Sequence, residues 1–278
     1  MSSASFFLSP QQLWSRIGTA DVPTILDVRR REIYEPARGV IPTAQWRQPE
    51  TYAEWAPALT DEKPIVLACR DGHRLSQMVA ADLRQRGLDA QVLEGGYQAW
   101  ADAGLPLTAK SALDRFAPTS PSLWVTRRRP KIDRVACPWL IARFIDPNAR
   151  ILYVDPPEVA NTAQETGAIP FDIEGIEISH EGERCSFDTM LRLFGLESDP
   201  HLARLALIVR GADTARYDLA PEAAGLHAVS LGLSALAADD DHGLLSQGFV
   251  VYDALFAWSR HAADERHNWP AKKTEKAA

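Results

Sequence analysis

Apolar positions in the first part of the chain fall into short unbroken runs separated by segments of helical spacing. Thr24-Ile25-Leu26-Asp27-Val28, Pro64-Ile65-Val66-Leu67-Ala68 and Ala90-Gln91-Val92-Leu93 are rich in β-branched residues and predict buried strands. Between the last two, Leu75 to Arg86 carries Met78, Val79 and Leu83 at helical spacing and stops at Gly87, which predicts a helix with that face turned inward. Ser9 can cap a helix that opens on Pro10, whose missing N–H has no partner at that position anyway. That helix should bury Leu13, Trp14 and Ile17 and end at Gly18. A strand–helix–strand of this length is a βαβ unit, so a parallel sheet flanked by helices is expected.

The rhythm changes after residue 108. Residues 109–122 hold Lys110-Ser111-Ala112 and then Ala117-Pro118-Thr119-Ser120-Pro121-Ser122, which predicts a stiff, unpaired Pro/Ser linker. Beyond it, Leu123-Trp124-Val125-Thr126 and Ile151-Leu152-Tyr153-Val154 suggest strands around a helix near Asp133–Ile145. From Ser186 onward the spacing is helical, in Phe187–Phe194, His201–Val209, Glu222–Ala237 and His242–His261. The expected division is residues 1–108 and 123–265 as two domains, with 266–278 a frayed Lys/Ala/Glu tail.

Two domains also suit 278 residues, at about 100–150 residues each. An apolar fraction of 46% with 24% charged residues excludes a largely disordered chain. Acidic side chains number 37 against 30 basic, a net charge of −7 that opposes binding to nucleic acid or anionic lipid. The asymmetry lies in the second half, with 18 basic and 24 acidic residues after position 110 against 12 and 13 before it. No apolar run reaches the roughly 18 residues of a membrane span, and Met1 to Pro10 lacks the basic start of a signal peptide. Cys69, Cys137 and Cys185 are too few and scattered for a disulfide framework, so a reducing cytoplasm is expected, with thiols free for chemistry.

One of those thiols sits where a buried strand gives way to a helix, in Cys69-Arg70-Asp71-Gly72-His73-Arg74. Loops at the carboxyl ends of parallel strands are where α/β sheets keep their sites. Gly72 permits the sharp turn, and successive amides opening into a helix N-terminus make an anion cradle to which Arg70 and Arg74 add charge. A free thiol of pKa about 8.5 is roughly 3% thiolate at pH 7; about 2 kcal/mol of preferential stabilisation brings that to about one half.

The Cys-Arg-x-Gly-x-Arg loop resembles the active loop of single-domain rhodaneses, the thiosulfate sulfurtransferases, through Cys69, Arg70, Gly72 and Arg74. Flanking residues agree over about positions 8–108. Upstream are Ile25-Leu26-Asp27-Val28-Arg29, Glu35 and Gly39-Val40-Ile41-Pro42-Thr43-Ala44, which departs from the family's Gly-His-Ile-Pro-Gly-Ala at Val40 and Thr43. Downstream are Leu93-Glu94-Gly95-Gly96-Tyr97, Trp100 and Gly104-Leu105-Pro106. The resemblance implies an α/β fold with a rhodanese-like parallel sheet flanked by helices, followed here by a second, mostly helical α/β domain. It also implies a Cys69 persulfide that carries sulfur from thiosulfate or another sulfane donor to cyanide or a thiol, with no cofactor. Arg70 and Arg74 would hold oxyanions, and Asp71, Gly72 and His73 would complete the substrate loop. Six loop residues suit sulfur; related phosphatases use seven.

In the second half, Cys137-Pro138 suggests the start of a helix, with Arg134 one turn earlier, so Cys137 is a candidate second thiol able to receive sulfur from Cys69. His180 and Cys185 are candidate metal ligands, with Asp213, His227, Asp241 and His242 as possible companions. A core histidine and a buried cysteine are the plainer alternative. Arg127-Arg128-Arg129-Pro130-Lys131 is a basic cluster suited to a small anion or a solvated loop, and Asp239-Asp240-Asp241 reads as a solvated turn.

This half resembles the C-terminal domain of the chromate resistance protein ChrB family. The carrying segments are Trp124–Arg127, Arg129–Arg134, Cys137–Asp146, Gly167–Asp172, Ser179-His180, Cys185–Asp188 and Val209–Asp213. The resemblance implies a link to chromate resistance, with chromate a candidate ligand. The alternative to an enzyme is therefore a chromate- or metal-responsive regulatory protein with a redox-sensing rhodanese module.

Overall fold

The computed structural model describes residues 5–265. The predicted tail, 266–278, lies outside the described residues. In chain order the first half contains β1 (Phe7–Leu8), α1 (Pro10–Arg16), β2 (Thr24–Asp27), α2 (Arg31–Tyr34), β3 (Gly39–Val40) and β4 (Gln45–Trp46). It continues through α3 (Tyr52–Trp55), β5 (Ile65–Ala68), α4 (Arg74–Gln85), β6 (Ala90–Leu93) and α5 (Gly96–Asp102). The five strands β1-β6-β5-β2-β4 form one parallel sheet in that order. Every residue of β5 and β6 is buried, because helices cover both faces.

α1 begins as expected: Ser9 accepts from the Gln12 amide while the Gln12 side chain accepts from the Ser9 amide. Leu13 and Ile17 are fully buried. α4 also forms where predicted, with Val79 and Leu83 inward, but Met78 is 68% exposed. Ser76, Val79, Ala80 and Leu83 make the inward face, and Met78 lies beside it.

The second half holds β7 (Thr108–Ala109), α6 (Lys110–Phe116), β8 (Leu123–Arg127), α7 (Asp133–Leu140), β9 (Arg150–Val154) and α8 (Val159–Thr166). It closes with β10 (Ile169–Pro170), α9 (Ser186–Leu193), α10 (Pro200–Asp213), α11 (Ala223–Ala237) and α12 (Asp241–His261). A short parallel sheet, β10-β8-β9, packs against the helices. The expected linker is not unpaired. β7 pairs with β3, and α6 buries Ala112 and Phe116 at a spacing of four, the Phe116 ring 6.0 Å from Phe194. Prolines confine the irregular part to residues 117–122.

Aromatic residues join the two halves in one core. Trp14 meets both Trp100 and Phe144, and Phe144 packs on Trp139 and Phe256. The Arg260 guanidinium lies 4.3 Å from the Trp14 ring centre and 4.2 Å from that of Phe256, and donates to the Ile17 carbonyl at 2.9 Å. Gly18 (φ +83°) is needed here, since a Cβ would stand 2.4 Å from Phe256. Thr43, one of the departures from the rhodanese pattern, donates its amide to the Phe144 carbonyl. That carbonyl also accepts from the Thr108 hydroxyl.

Candidate functional site

Cys69 follows the last residue of β5, near the middle of the five-stranded sheet. The loop it opens is shaped from below by the Gly95-Gly96 turn at the start of α5. The Tyr97 amide donates to the Cys69 carbonyl and the Gln98 amide to the Arg70 carbonyl, both at 2.9 Å. The approach is so close that a Cβ on Gly96 would lie 2.4 Å from the Cys69 carbonyl oxygen. One on Gly72 (φ +68°) would lie 2.7 Å from the Gly95 nitrogen. With these carbonyls held by α5, the amides from Arg70 to Ser76 have no protein acceptor among the described residues. They span the loop and the first turn of α4, whose preceding residue, His73, provides no side-chain cap.

Cys69 is 6% exposed, at the floor of the loop. Its Sγ lies 3.1 Å from the Ser76 hydroxyl, which is also 3.1 Å from the His73 carbonyl. Ser76 is a site residue that sequence reasoning passed over. Its signal was its position: the third residue of a helix starting at Arg74 points back toward the strand end that carries the thiol. Gly72 and the Ser76 hydroxyl thus surround Cys69, whereas Arg70, His73 and Arg74 are exposed on the rim. Arg70 faces the Asp71 carboxylate at 3.5 Å.

Arg29 supports this arrangement from within. It is 1% exposed, paired with Asp27 at 2.6 Å, and its guanidinium sits 3.7 Å from the centre of the Tyr97 ring. The Tyr97 hydroxyl donates to the Gly39 carbonyl. Tyr97, whose amide holds the Cys69 carbonyl, is therefore fixed through its ring and its hydroxyl.

The other predicted site residues separate. Cys137 does not open a helix: α7 starts at Asp133, and Cys137 lies inside it, fully buried. Arg134 turns to Asp172 and to the carbonyls of Arg127 and Arg128. Burial and the nearby Asp133 carboxylate push the Cys137 thiol up, so activation of this cysteine and sulfur delivery from Cys69 lose their physical basis. Cys185 is likewise buried with its thiol pushed up, and it donates to Asp188 at 3.4 Å. It is not a partner of His180.

His180 instead joins carboxylates from three other segments. Its Nε2 lies 3.2 Å from Asp133, 3.3 Å from Asp213 and 3.6 Å from Asp172. The hydrogen bond to Asp133, with the surrounding carboxylates, raises His180 to about 9 against the effect of burial. Burial and the charge of Asp133 raise Asp213 to about 7. Of the other proposed companions, His227 bonds Tyr217, His242 lies against Tyr153, and Asp241 accepts from the Arg129 amide. Two residues of the basic run are paired internally, Arg127 with Asp172 and Arg128 with Asp155 and Asp239.

Known proteins divide along the same lines. Residues 9–103 match the family of the rhodanese-like domain, and residues 124–259 match ChrB, C-terminal domain. A stretch of 133 residues is 39% identical to Protein ChrB of Cupriavidus metallidurans, covering 48% of this chain and 39% of that protein. The chain thus spans well under half the length of this relative. Thiosulfate sulfurtransferase GlpE of Actinobacillus succinogenes is 29% identical over 103 residues, 36% of this chain and 87% of that protein. Among solved structures, a rhodanese-like domain protein from Staphylococcus aureus is 28% identical with a TM-score of 0.33, covering 38% of this chain and 100% of that one. A rhodanese-related protein from Thermoplasma volcanium is 24% identical with a TM-score of 0.33, covering 37% and 97%. Residues 9–103 are a rhodanese-like domain and residues 124–259 a ChrB C-terminal domain, joined in one chain.

Proposed function

We propose that the protein is a sulfurtransferase whose Cys69 carries sulfane sulfur, working in chromate resistance. The supporting observation is the set of amides from Arg70 to Ser76 that have no acceptor among the described residues, around a thiol at the carboxyl end of a central parallel strand. In the first step the Cys69 thiolate attacks the outer sulfur of thiosulfate. The S–S bond of the donor breaks, sulfite leaves with the bonding pair, and Cys69 becomes a persulfide anion. The loop amides and the Ser76 hydroxyl then stabilise the terminal sulfur. Arg70 and Arg74, exposed on the rim, attract the dianion. In the second step cyanide or a thiol takes the terminal sulfur and Cys69 returns as thiolate. No resident cofactor is required. This chemistry needs reduced thiols, which fits a cytoplasmic setting and the three free cysteines.

Incubation with thiosulfate in the absence of reductant should add the mass of one sulfur atom to the peptide containing Cys69. Thiocyanate should form from thiosulfate and cyanide and vanish in Cys69→Ser. If the wild type gains no sulfur under ample thiosulfate, sulfur transfer is excluded.

A second role, as a chromate- or metal-responsive regulatory protein, is favoured by one observation: Asp133, His180 and Asp213, none of them in the Cys69 loop, hold ligand atoms within 4.8 Å of one another. The net charge of −7 opposes a DNA-binding version of it. Salt-sensitive binding to promoter DNA, released by chromate, would support that role over the enzyme.

A further inference from the structure

Three carboxylates, Asp133, Asp172 and Asp213, come together in the second half from the start of α7, the residues after β10 and the end of α10. They are not equally compensated. Asp172 is 2.7 Å from Arg127, 3.3 Å from Arg134 and accepts from the Ser186 hydroxyl at 2.8 Å. Asp133 has a side chain only 4% exposed, and among the described residues its one basic group within ion-pair distance is His180, on Oδ2. The Asp213 side chain is 15% exposed, and His180 is its one basic neighbour within ion-pair distance among the described residues. Two enclosed carboxylates therefore share one imidazole. Leaving a buried carboxylate without a matching cation costs several kcal/mol.

From this juxtaposition we propose that Asp133, His180 and Asp213 bind one divalent first-row transition-metal ion through two carboxylate oxygens and the imidazole. Their ligand atoms all lie within 4.8 Å of one another. Ligands at about 2.0–2.2 Å from a tetrahedral or octahedral ion stand about 3.0–3.5 Å apart. The separations of 3.2 and 3.3 Å from His180 fall in that range. Two negative charges facing one divalent ion balance. Carboxylate and imidazole donors favour Zn²⁺, Mn²⁺ or Fe²⁺ and disfavour the soft ions that thiolates select. Cys137 and Cys185 lie outside this group of ligand atoms, Cys185 bonding Asp188 instead. His180, with a side chain 43% exposed, gives the ion a path from solvent. Asp172, held by its two arginines, lies 3.6 Å from the same Nε2 and adds its charge beside the ion.

The test uses the full chain, stripped with chelator and then supplied with Zn²⁺ or Mn²⁺. Elemental analysis after desalting should find one ion per chain for at least one of the two metals, and the unfolding midpoint should rise when that metal is added. His180→Gln, at a half-exposed position, and Asp213→Asn should each weaken binding at least about tenfold while circular dichroism shows an unchanged fold. Cys185→Ser should bind as the wild type does. Absence of stoichiometric binding of both metals, or binding undiminished in both His180→Gln and Asp213→Asn, overturns the proposal.

Discussion

Around Cys69 the outcome turns on single atoms. The Ser76 hydroxyl has one hydrogen and two claimants, the His73 carbonyl and the Cys69 sulfur, each at 3.1 Å. When the sulfur is anionic, the charged acceptor wins. A hydrogen bond to a charged group contributes about 1.5–3 kcal/mol, so Ser76→Ala should lower the rate of thiocyanate formation about tenfold or more. Ser76→Thr, which keeps the hydroxyl, should retain most of it. Steady-state assays of both variants decide the point. Farther in, Asp27 and Arg29 form a buried pair beneath Tyr97. Asp27→Ala would leave an uncompensated buried guanidinium and should cost about 3–5 kcal/mol of stability in denaturant titration. Cys69 and its loop were legible in the sequence because residue types and spacing were enough. Ser76 was not, because its role depends on which way the first turn of α4 faces.

At the scale of elements, glycines separate two kinds of helix. Gly96 touches the loop so closely that Gly96→Ala must displace the Cys69 carbonyl, and its φ of +61° adds strain of about 1–3 kcal/mol. Loss of sulfur loading with a lower unfolding midpoint is expected. On α11, Gly225 and Gly232 have nothing within 4 Å of where a Cβ would stand. Replacing either by Ala should stabilise the protein by about 0.5–1 kcal/mol, because an interior helical glycine carries an entropic cost that no contact here offsets. A stability change of the wrong sign would show that something outside the chain needs those spaces. Strands and long helices followed from apolar periodicity. α6 did not: its two buried residues, Ala112 and Phe116, are too sparse to outweigh the neighbouring prolines and serines until Phe194 is known to be their partner.

For the whole molecule, the rings of Trp14, Phe144, Trp139 and Phe256 make one core from both halves. Phe256→Ala, at a residue 1% exposed, should cost about 3–5 kcal/mol. The two halves should then unfold together, and calorimetry should record one transition for the wild type. Two well-separated transitions would contradict a shared core. Thr43 illustrates how the halves meet. Its φ of +66° suits the glycine of the rhodanese pattern, yet its amide now holds the Phe144 carbonyl of the second half.

The amino-acid sequence by itself determined the βαβ rhythm, the thiol at a strand end and the kinship of each half, because these are local patterns carried by neighbouring residues. Which buried charges lack partners, and which thiols reach solvent, was decided only by the fold. Asp133, Asp172, His180 and Asp213 come from four segments and have no sequence spacing in common. Cys137 and Cys69 look alike in one dimension, each with an arginine nearby. They differ only once one is enclosed among apolar side chains, where ionisation is penalised, and the other stands beneath amides with no other acceptor among the described residues.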